Sequence, residues 1–397
     1  MAQQSRLGAR STVALAVATA AGNGLAYVFT IAMSRLLGAG DFGALGTLLG
    51  VWVIAQVPAL AYQLTVARAL AGGPAAAVEA FVGFGAVLGL GIALVLGVLA
   101  VPLAAALHVG VAAVLWLAVG QFPTMVLFAA LGVHQGRSRF GMFGVLLAGF
   151  HAVRLAAGVV AAMAGTGPAG VLAATALAAV VAAVAGWRTS GARLDLAGLA
   201  GWGHLVHLVR GAASMGALLL LTTADLLLAG HYLLGDARGV YASGNVLTRV
   251  AFWGPQFIGT LAYPWLARPA DRDRARRLAL LAVCGLGAAG VAVAAVAGRV
   301  LVSVVFGPAY ASLAGVAWLF VLVGASAAVL NVVLLDDVAT GRSVGTRLCY
   351  AAIAVEAVLI AAWRHATPAQ VVGTAAAVCA LTAASAVLVT GVRQRLP

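Results

Sequence analysis

Two arginines within long apolar stretches are the residues of this sequence best suited to binding chemistry. Arg249 follows Asn245 by four residues and Arg154 follows His151 by three, so each pair shares one face of a helix. A guanidinium stays charged and its fork of N–H donors fits phosphate oxygens in a bidentate way. Because a charge at bilayer depth costs about 2.5–3.5 kcal/mol on insertion scales, it must face a partner or a wet cavity. We therefore predict anion binding at Arg249 and Arg154.

Acids within apolar stretches leave alternatives open. Arg249 could instead form an internal ion pair with Asp225, which lies in the preceding apolar stretch. Glu356 also lies within an apolar stretch, where a proton or cation site and a hydrogen-bonded structural acid fit equally well. Asp336 and Asp337 fall at the end of an apolar stretch, and we expect both to be solvated.

A polar stripe follows the first apolar stretch at intervals of four, four, three and four residues; its members are Thr19, Asn23, Tyr27, Thr30 and Ser34. Helical periodicity places all five on one face. This pattern predicts a helix that lines a water-filled cavity, with Asn23 and Tyr27 as candidate substrate-binding side chains. The alternative is that the stripe makes hydrogen bonds to neighbouring helices.

Two common patterns of nucleotide and metal sites are absent. The chain contains no Walker A motif and no H-E-x-x-H. The three cysteines, Cys284, Cys349 and Cys379, all fall in apolar runs without metal-ligand spacing. We therefore expect a protein that is not an enzyme and that needs neither a metal nor another cofactor.

The composition defines a membrane protein. Of the 397 residues, 64% are hydrophobic and 8% charged, and the mean hydropathy is +1.10, whereas soluble domains carry roughly 25% charged residues. The formal net charge of +13 would suggest a nucleic-acid partner in a soluble protein. Here the basic residues, all of them arginine, lie between apolar blocks, so we assign them to the positive-inside rule and expect no nucleic-acid partner.

About twelve apolar stretches have the roughly 20-residue length of a membrane-spanning helix. They lie near 12–35, 44–67, 81–106, 111–133, 141–163, 169–187, 209–234, 240–266, 278–298, 312–335, 346–363 and 369–391. With this count, most of the arginines fall in cytoplasmic segments if both termini are cytoplasmic. The first stretch is longer than the apolar part of a signal peptide, so we treat it as an uncleaved span.

The two halves of the chain contain matching motifs. The offset is 196 or 197 residues, half the chain length, and the matches are Leu36-Leu37-Gly38 with Leu233-Leu234-Gly235, Gly43 with Gly239, and Pro58 with Pro255. Such a repeat indicates an internal duplication. We predict an N-terminal six-helix bundle over residues 1–200 and a C-terminal one over residues 201–397. Each matching proline removes a backbone hydrogen bond and should kink its helix.

Three stretches, taken in order, resemble the Wzx-type polysaccharide-biosynthesis flippases of the multidrug/oligosaccharidyl-lipid/polysaccharide (MOP) exporter superfamily. They are SRLLGAGDFGALGTLL at 34–49, the block from Asp225 through Gly235, Gly239, Tyr241 and Arg249 to Pro255, and VFGPAY at 305–310. The resemblance implies an all-α polytopic fold with two six-helix bundles around a central cavity. It also implies transport of a lipid-linked oligosaccharide, carried on polyprenyl pyrophosphate, to the outer leaflet of the cytoplasmic membrane.

The resemblance assigns Arg249 to the phosphate of the cargo, and Arg154 is added from its position. The predicted substrate-binding residues are Arg249, Arg154, Asn245, Asp225, Asn23 and Tyr27. The expected partners are the lipid-linked cargo, membrane lipids, a polysaccharide polymerase and glycosyltransferases. Two alternatives share the fold: a multidrug or cation antiporter, which would favour buried acids, and a lipid II flippase, which differs mainly in cargo.

Overall fold

A computed structural model of the chain describes residues 21–71, 78–191, 213, 216–256, 258, 262, 265, 268 and 271–392. The regular elements among these residues are all helical. The chain divides into two compact units: unit 1 comprises Met1–Leu37 and Val51–Ala212, and unit 2 comprises Gly38–Gly50 and Ala213–Pro397. The predicted boundary after residue 200 lies outside the described residues and stays a prediction.

Unit 1 is built around one central helix. Its helices are α1 (21–36), α3 (Val57–Ala71), α4 (Val78–Val98), α5 (Ala100–Leu107), α6 (Val111–Gly136), α7 (Phe140–Met163) and α8 (Gly167–Ser190). Helix α6 packs against α3, α4 and α8. A Cβ at Gly132 of α6 would lie 2.6 Å from the carbonyl oxygen of Gln63 on α3. Because lipid is as apolar as the side chains, such close backbone approach supplies packing energy that a hydrophobic effect cannot.

Unit 2 is also built around one central helix. Helix α2 (Gly38–Ala55) contributes its first 13 residues, 38–50, and the other elements are α9 (216–221), α10 (Ala224–Tyr232), α11 (Asp236–Trp253), α12 (Arg272–Val305), a 3-10 helix (Pro308–Gly315), α13 (Ala317–Ala339), α14 (Val344–Trp363) and α15 (Pro368–Val392). Helix α13 packs against α11, α12 and α15. Much of α12 instead carries exposed apolar side chains, such as Val296 and Val300, as a lipid-facing helix would.

Nine helices among the described residues are long and apolar enough to cross a membrane, so the prediction of a multi-pass membrane protein is confirmed. These nine correspond to nine of the twelve predicted spans. The predicted spans 12–35 and 240–266 run into residues outside the described ranges. The predicted span 209–234 contains the shorter apolar helix Gly216–Tyr232, which is interrupted at Thr222 and Thr223.

Helix ends lie close to both prolines, where the sequence predicts kinks. Helix α2 ends at Ala55 and α3 begins at Val57, one residue before Pro58, while α11 ends at Trp253, two residues before Pro255. The matching glycines Gly38 and Gly235 both have positive φ angles, +72° and +56°. Gly38 begins α2, and Gly235 immediately precedes α11. Glycine adopts this left-handed region without steric cost. Both halves therefore have a glycine with a positive φ angle at the start of a helix and a helix end close to the matching proline.

The solvation expected for Asp336 and Asp337 is wrong, because both are only 1% exposed. The Arg272 guanidinium donates to both carboxylate oxygens of Asp336, from Nε at 2.8 Å and from Nη2 at 3.0 Å. The backbone N–H of Gly345 donates to Oδ2 of Asp337 at 2.6 Å. These contacts tie the start of α12 and the start of α14 to the end of α13.

Candidate functional site

Helix α11 carries the polar face of unit 2. Tyr241, Asn245 and Arg249 are spaced by four residues and therefore share one side of the helix. Asn245 Oδ1 accepts a hydrogen bond from Arg249 Nε at 3.0 Å, and Asn245 Nδ2 donates to the Thr222 carbonyl oxygen at 3.5 Å. Thr222 lies where the helix before α10 is interrupted. The predicted pair of Asn245 and Arg249 is therefore a direct contact, anchored to the neighbouring helix.

Asp225 of α10 lies beside this face. Its Oδ2 accepts a hydrogen bond from the Tyr241 hydroxyl at 2.6 Å, and the side chain is fully buried. Asp225 also attracts the charge of Arg249. The structure therefore brings three predicted site residues, Asp225, Asn245 and Arg249, into one cluster. Tyr241 joins the acid to the helix that carries the arginine.

Glu356 of α14 adds a second buried acid. The side chain is 0% exposed, and neither of its carboxyl oxygens makes a hydrogen bond among the described residues, nor does Oδ1 of Asp225. Glu356 and Asp225 are close enough to influence each other electrostatically, and Cys379 of α15 lies within range of both. Two neighbouring carboxylates in a dry environment cannot both stay ionised without a compensating charge. The cluster is therefore suited to hold a proton or a cation.

Unit 1 contains a separate basic site on α7. The Arg154 guanidinium stacks over the Phe29 ring of α1, with 3.9 Å between Cζ and the ring centroid. His151 lies close enough for its ring to be influenced by the Arg154 charge, as the three-residue spacing predicts. Its Nδ1 is buried and makes no hydrogen bond among the described residues. Stacking on an aromatic face stabilises a guanidinium away from water by about 0.5–2 kcal/mol.

The polar stripe of α1 divides into two parts. Thr30 and Ser34 donate to carbonyl oxygens of their own helix, Ala26 at 2.9 Å and Ile31 at 2.8 Å. Asn23 and Tyr27, the two candidate substrate-binding residues of this helix, are half-buried, and Thr19 lies outside the described residues. The structure places Asn23 and Tyr27 on α1, the helix whose Phe29 stacks with Arg154.

Tyr241, Glu356 and Phe29 belong to these clusters but were not among the predicted binding residues. An acid within a spanning helix is by itself a signal of function, so the sequence already marked Glu356. The sequence marks Tyr241 only through the family resemblance and Phe29 not at all, because their roles depend on contacts between helices. In the described part of the chain, no group of His, Cys, Asp and Glu is placed to bind a metal ion.

Comparison with known proteins defines the fold of the chain. No family model and no curated protein matches the sequence. Solved structures of MOP-superfamily transporters do match. An inward-facing multidrug-resistance transporter of the MATE family has a TM-score of 0.76 and 12% identity over 93% of each chain. Lipid II flippase MurJ in an inward closed conformation has a TM-score of 0.74 and 6% identity over 96% of this chain and 87% of MurJ.

A third structure, a mutant of the Vibrio cholerae MATE transporter VcmN, has a TM-score of 0.63 and 14% identity over 100% of this chain and 99% of the other. At such low identities the likeness concerns the fold alone. The chain therefore has the two-bundle, all-helical fold of MOP-superfamily transporters, as the sequence predicts. The solved structures of this fold include multidrug transporters and a lipid flippase.

Proposed function

We propose that this protein is a translocase that moves a lipid-linked oligosaccharide across the cytoplasmic membrane for cell-surface polysaccharide assembly. The cargo would be a polyprenyl-pyrophosphate sugar, both termini would be cytoplasmic, and transport would proceed by alternating access between the two halves. The observation that carries the proposal is the contact between Arg249 and Asn245. Asn245 holds Nε and thereby orients a guanidinium, the group best suited to a pyrophosphate, at the polar face of α11.

Besides a phosphate of the cargo, Arg249 has a second possible partner, the buried acid Asp225. Arg249 and Asp225 attract each other, so a bound pyrophosphate competes with Asp225 for the guanidinium. When the pyrophosphate binds Arg249, the guanidinium charge no longer fully compensates the negative charges of Asp225 and Glu356. Uptake of a proton by the acid pair then becomes more favourable, and by reciprocity a proton on the pair strengthens cargo binding. In this mechanism, the buried acids couple transport to a proton gradient.

Replacing Arg249 with alanine is expected to weaken binding of a polyprenyl-pyrophosphate sugar by about 2 kcal/mol, or roughly 30-fold, because a charge-assisted contact is lost. Binding would be measured on purified protein, with Arg154→Ala tested beside it. Arg299→Ala is the control, because Arg299 lies on the exposed side of α12. A wild-type protein that binds no such lipid but takes up organic cations would contradict the cargo assignment. Competition by lipid II would point to a lipid II flippase.

The buried acid pair favours a second candidate, a multidrug or cation antiporter of the same fold. For an antiporter, Glu356→Gln should abolish proton-driven uptake of an organic cation into proteoliposomes, because the amide cannot release a proton. For the flippase, the same variant should keep cation uptake at the level of empty liposomes and should lose only the pH dependence of lipid binding. Glutamine preserves the volume of Glu356, so a folded variant separates the two functions.

A further inference from the structure

The first two turns of α12 carry four arginines, which the helix divides between two sides. Arg272 and Arg276, four residues apart, lie against the other helices of unit 2, and Arg276 is only 5% exposed. Arg274 and Arg277, three residues apart, are both exposed. Residues three or four apart share a face of a helix. The start of α12 therefore has an inward pair, Arg272 and Arg276, and an outward pair, Arg274 and Arg277.

The inward pair is held by contacts within unit 2. The Arg272 guanidinium donates to both carboxylate oxygens of Asp336 on α13. Arg276 Nη2 donates to the Thr390 hydroxyl and, at 3.4 Å, to the Val387 carbonyl oxygen, both on α15. These contacts attach the start of α12 to α13 and α15. They also commit the buried acid Asp336 to the inward side of the helix.

The outward pair has no such partner in the described part of the chain, where neither Arg274 nor Arg277 makes an ion pair or a hydrogen bond. The adjacent acid, Asp273, is exposed, and its charge attracts the inward pair. The exposed charges of these two turns are thus two arginines and one aspartate, and the outward side of the helix keeps a net positive charge.

An apolar stripe continues the face of the outward pair. Leu278 lies four residues after Arg274, Leu281 lies four residues after Arg277, and the two leucines are 56% and 64% exposed. Val296, further along the same face, is 90% exposed. Such a stripe is suited to contact the acyl chains of the bilayer. Arginines at the end of a lipid-facing stripe lie at the level of the lipid headgroups.

We propose that Arg274 and Arg277 bind the headgroup phosphate of an anionic glycerophospholipid whose acyl chains lie along the apolar stripe of α12. Two guanidiniums about one helical turn apart can donate to the same phosphate, and their forks fit its oxygens. An anionic headgroup is favoured over a zwitterionic one, because the latter brings a positive charge of its own to the arginines. With both termini cytoplasmic, as proposed above, this end of α12 lies at the cytoplasmic leaflet, where basic residues attract anionic lipids.

The test uses a reporter that the chain already contains. Cys284 is exposed on α12, seven residues after Arg277, whereas Cys349 and Cys379 are 0% exposed. Seven residues of helix span about 10 Å, so a fluorophore on Cys284 lies near the upper part of a lipid bound at the outward pair. Nitroxide-labelled phosphatidylglycerol and nitroxide-labelled phosphatidylcholine are compared as quenchers of this fluorophore in reconstituted vesicles.

In the wild type, phosphatidylglycerol is expected to reach half-maximal quenching at a clearly lower mole fraction than phosphatidylcholine. Arg274→Gln/Arg277→Gln should lower this preference about tenfold, because both charges that attract the headgroup are removed. Arg299→Gln/Arg364→Gln is the matched control, because it removes the same charge from two other exposed positions of unit 2. The control should keep the preference of the wild type.

Equal quenching by the two lipids in the wild type would overturn the proposal, as would an unchanged preference in Arg274→Gln/Arg277→Gln. An equal loss in Arg299→Gln/Arg364→Gln would also overturn it, because the effect would then reflect total charge. Both arginines are exposed, so the double variant should fold and melt with the wild type in phospholipid-free detergent. The vesicles contain no polyprenyl lipid. A protein that binds no polyprenyl-pyrophosphate sugar but prefers phosphatidylglycerol would contradict the proposed cargo and leave this site standing.

Discussion

Replacing Arg272 with alanine is expected to destabilise unit 2 by about 3–5 kcal/mol, because the change removes one partner of a buried ion pair. The Arg272 guanidinium meets Asp336 through two parallel hydrogen bonds of 2.8 and 3.0 Å, and the two side chains are 17% and 1% exposed. Without the arginine, the Asp336 carboxylate would stay buried without its hydrogen-bonding partner, and of the nearby positive charges Arg276 would still attract it. The start of α12 would also lose its tie to the end of α13.

The measurement is thermal melting of the purified protein in detergent. Arg274→Ala is the matched control, because Arg274 lies two residues further along α12 and its side chain is exposed. Its melting temperature should equal that of the wild type. In the double variant Arg272→Ala/Asp336→Ala neither charge remains, so part of the lost stability should return. If Arg272→Ala melted together with Arg274→Ala, the ion pair would not stabilise the fold.

The ion pair between Arg272 and Asp336 could not be predicted from the sequence, although the spanning helices could. Hydropathy and the thickness of the bilayer together set the length and position of spanning helices, which is why nine of the predicted spans are present among the described residues. Arg272 and Asp336 are 64 residues apart, on different helices. The sequence placed Asp336 at a helix end, where an acid is ordinarily solvated. Nothing in the periodicity of either helix reports which helix ends lie together.

In the candidate site too, contacts within one helix could be predicted from the sequence and contacts between helices could not. Asn245 and Arg249 lie on one helix, and a spacing of four residues was enough to predict their contact. Asp225 lies on another helix, and the sequence left open whether it pairs with Arg249. The structure gives Asp225 a hydrogen bond from Tyr241 and an electrostatic attraction to Arg249. Contacts within a helix follow from spacing, whereas contacts between helices require the packing.

Helix packing around α11 is set largely by glycine, and α11 carries the polar face of unit 2. On one side, a Cβ at Gly324 of α13 would overlap with the Thr248 carbonyl oxygen. A Cβ at Gly244 would overlap with the Phe320 ring, and the Thr248 hydroxyl donates to the Phe320 carbonyl oxygen at 2.9 Å. The Thr248 carbonyl of α11 therefore fills the space beside Gly324 of α13, and the Phe320 ring of α13 fills the space beside Gly244 of α11.

Gly324→Leu is accordingly expected to destabilise the protein by about 3 kcal/mol or more, at the upper end of the range for overpacked cores. The obstacle is a backbone carbonyl, which cannot change rotamer to make room, so α11 and α13 must separate. Thermal melting and the fraction of monodisperse protein after size-exclusion chromatography would measure the loss. Gly285→Leu is the matched control, because Gly285 is exposed on α12 with no atom within 4 Å.

The smaller change Gly324→Ala connects this packing to function. One methyl group already meets the Thr248 carbonyl, so α11 should shift while the protein stays folded. Tyr241 and Arg249 move with α11, whereas Asp225 on α10 does not, and the hydrogen bond between Tyr241 and Asp225 should weaken. We expect Gly324→Ala to lower binding of the lipid-linked cargo more than Gly285→Ala does. Equal binding by the two alanine variants would show that the site does not depend on how closely α11 packs against α13.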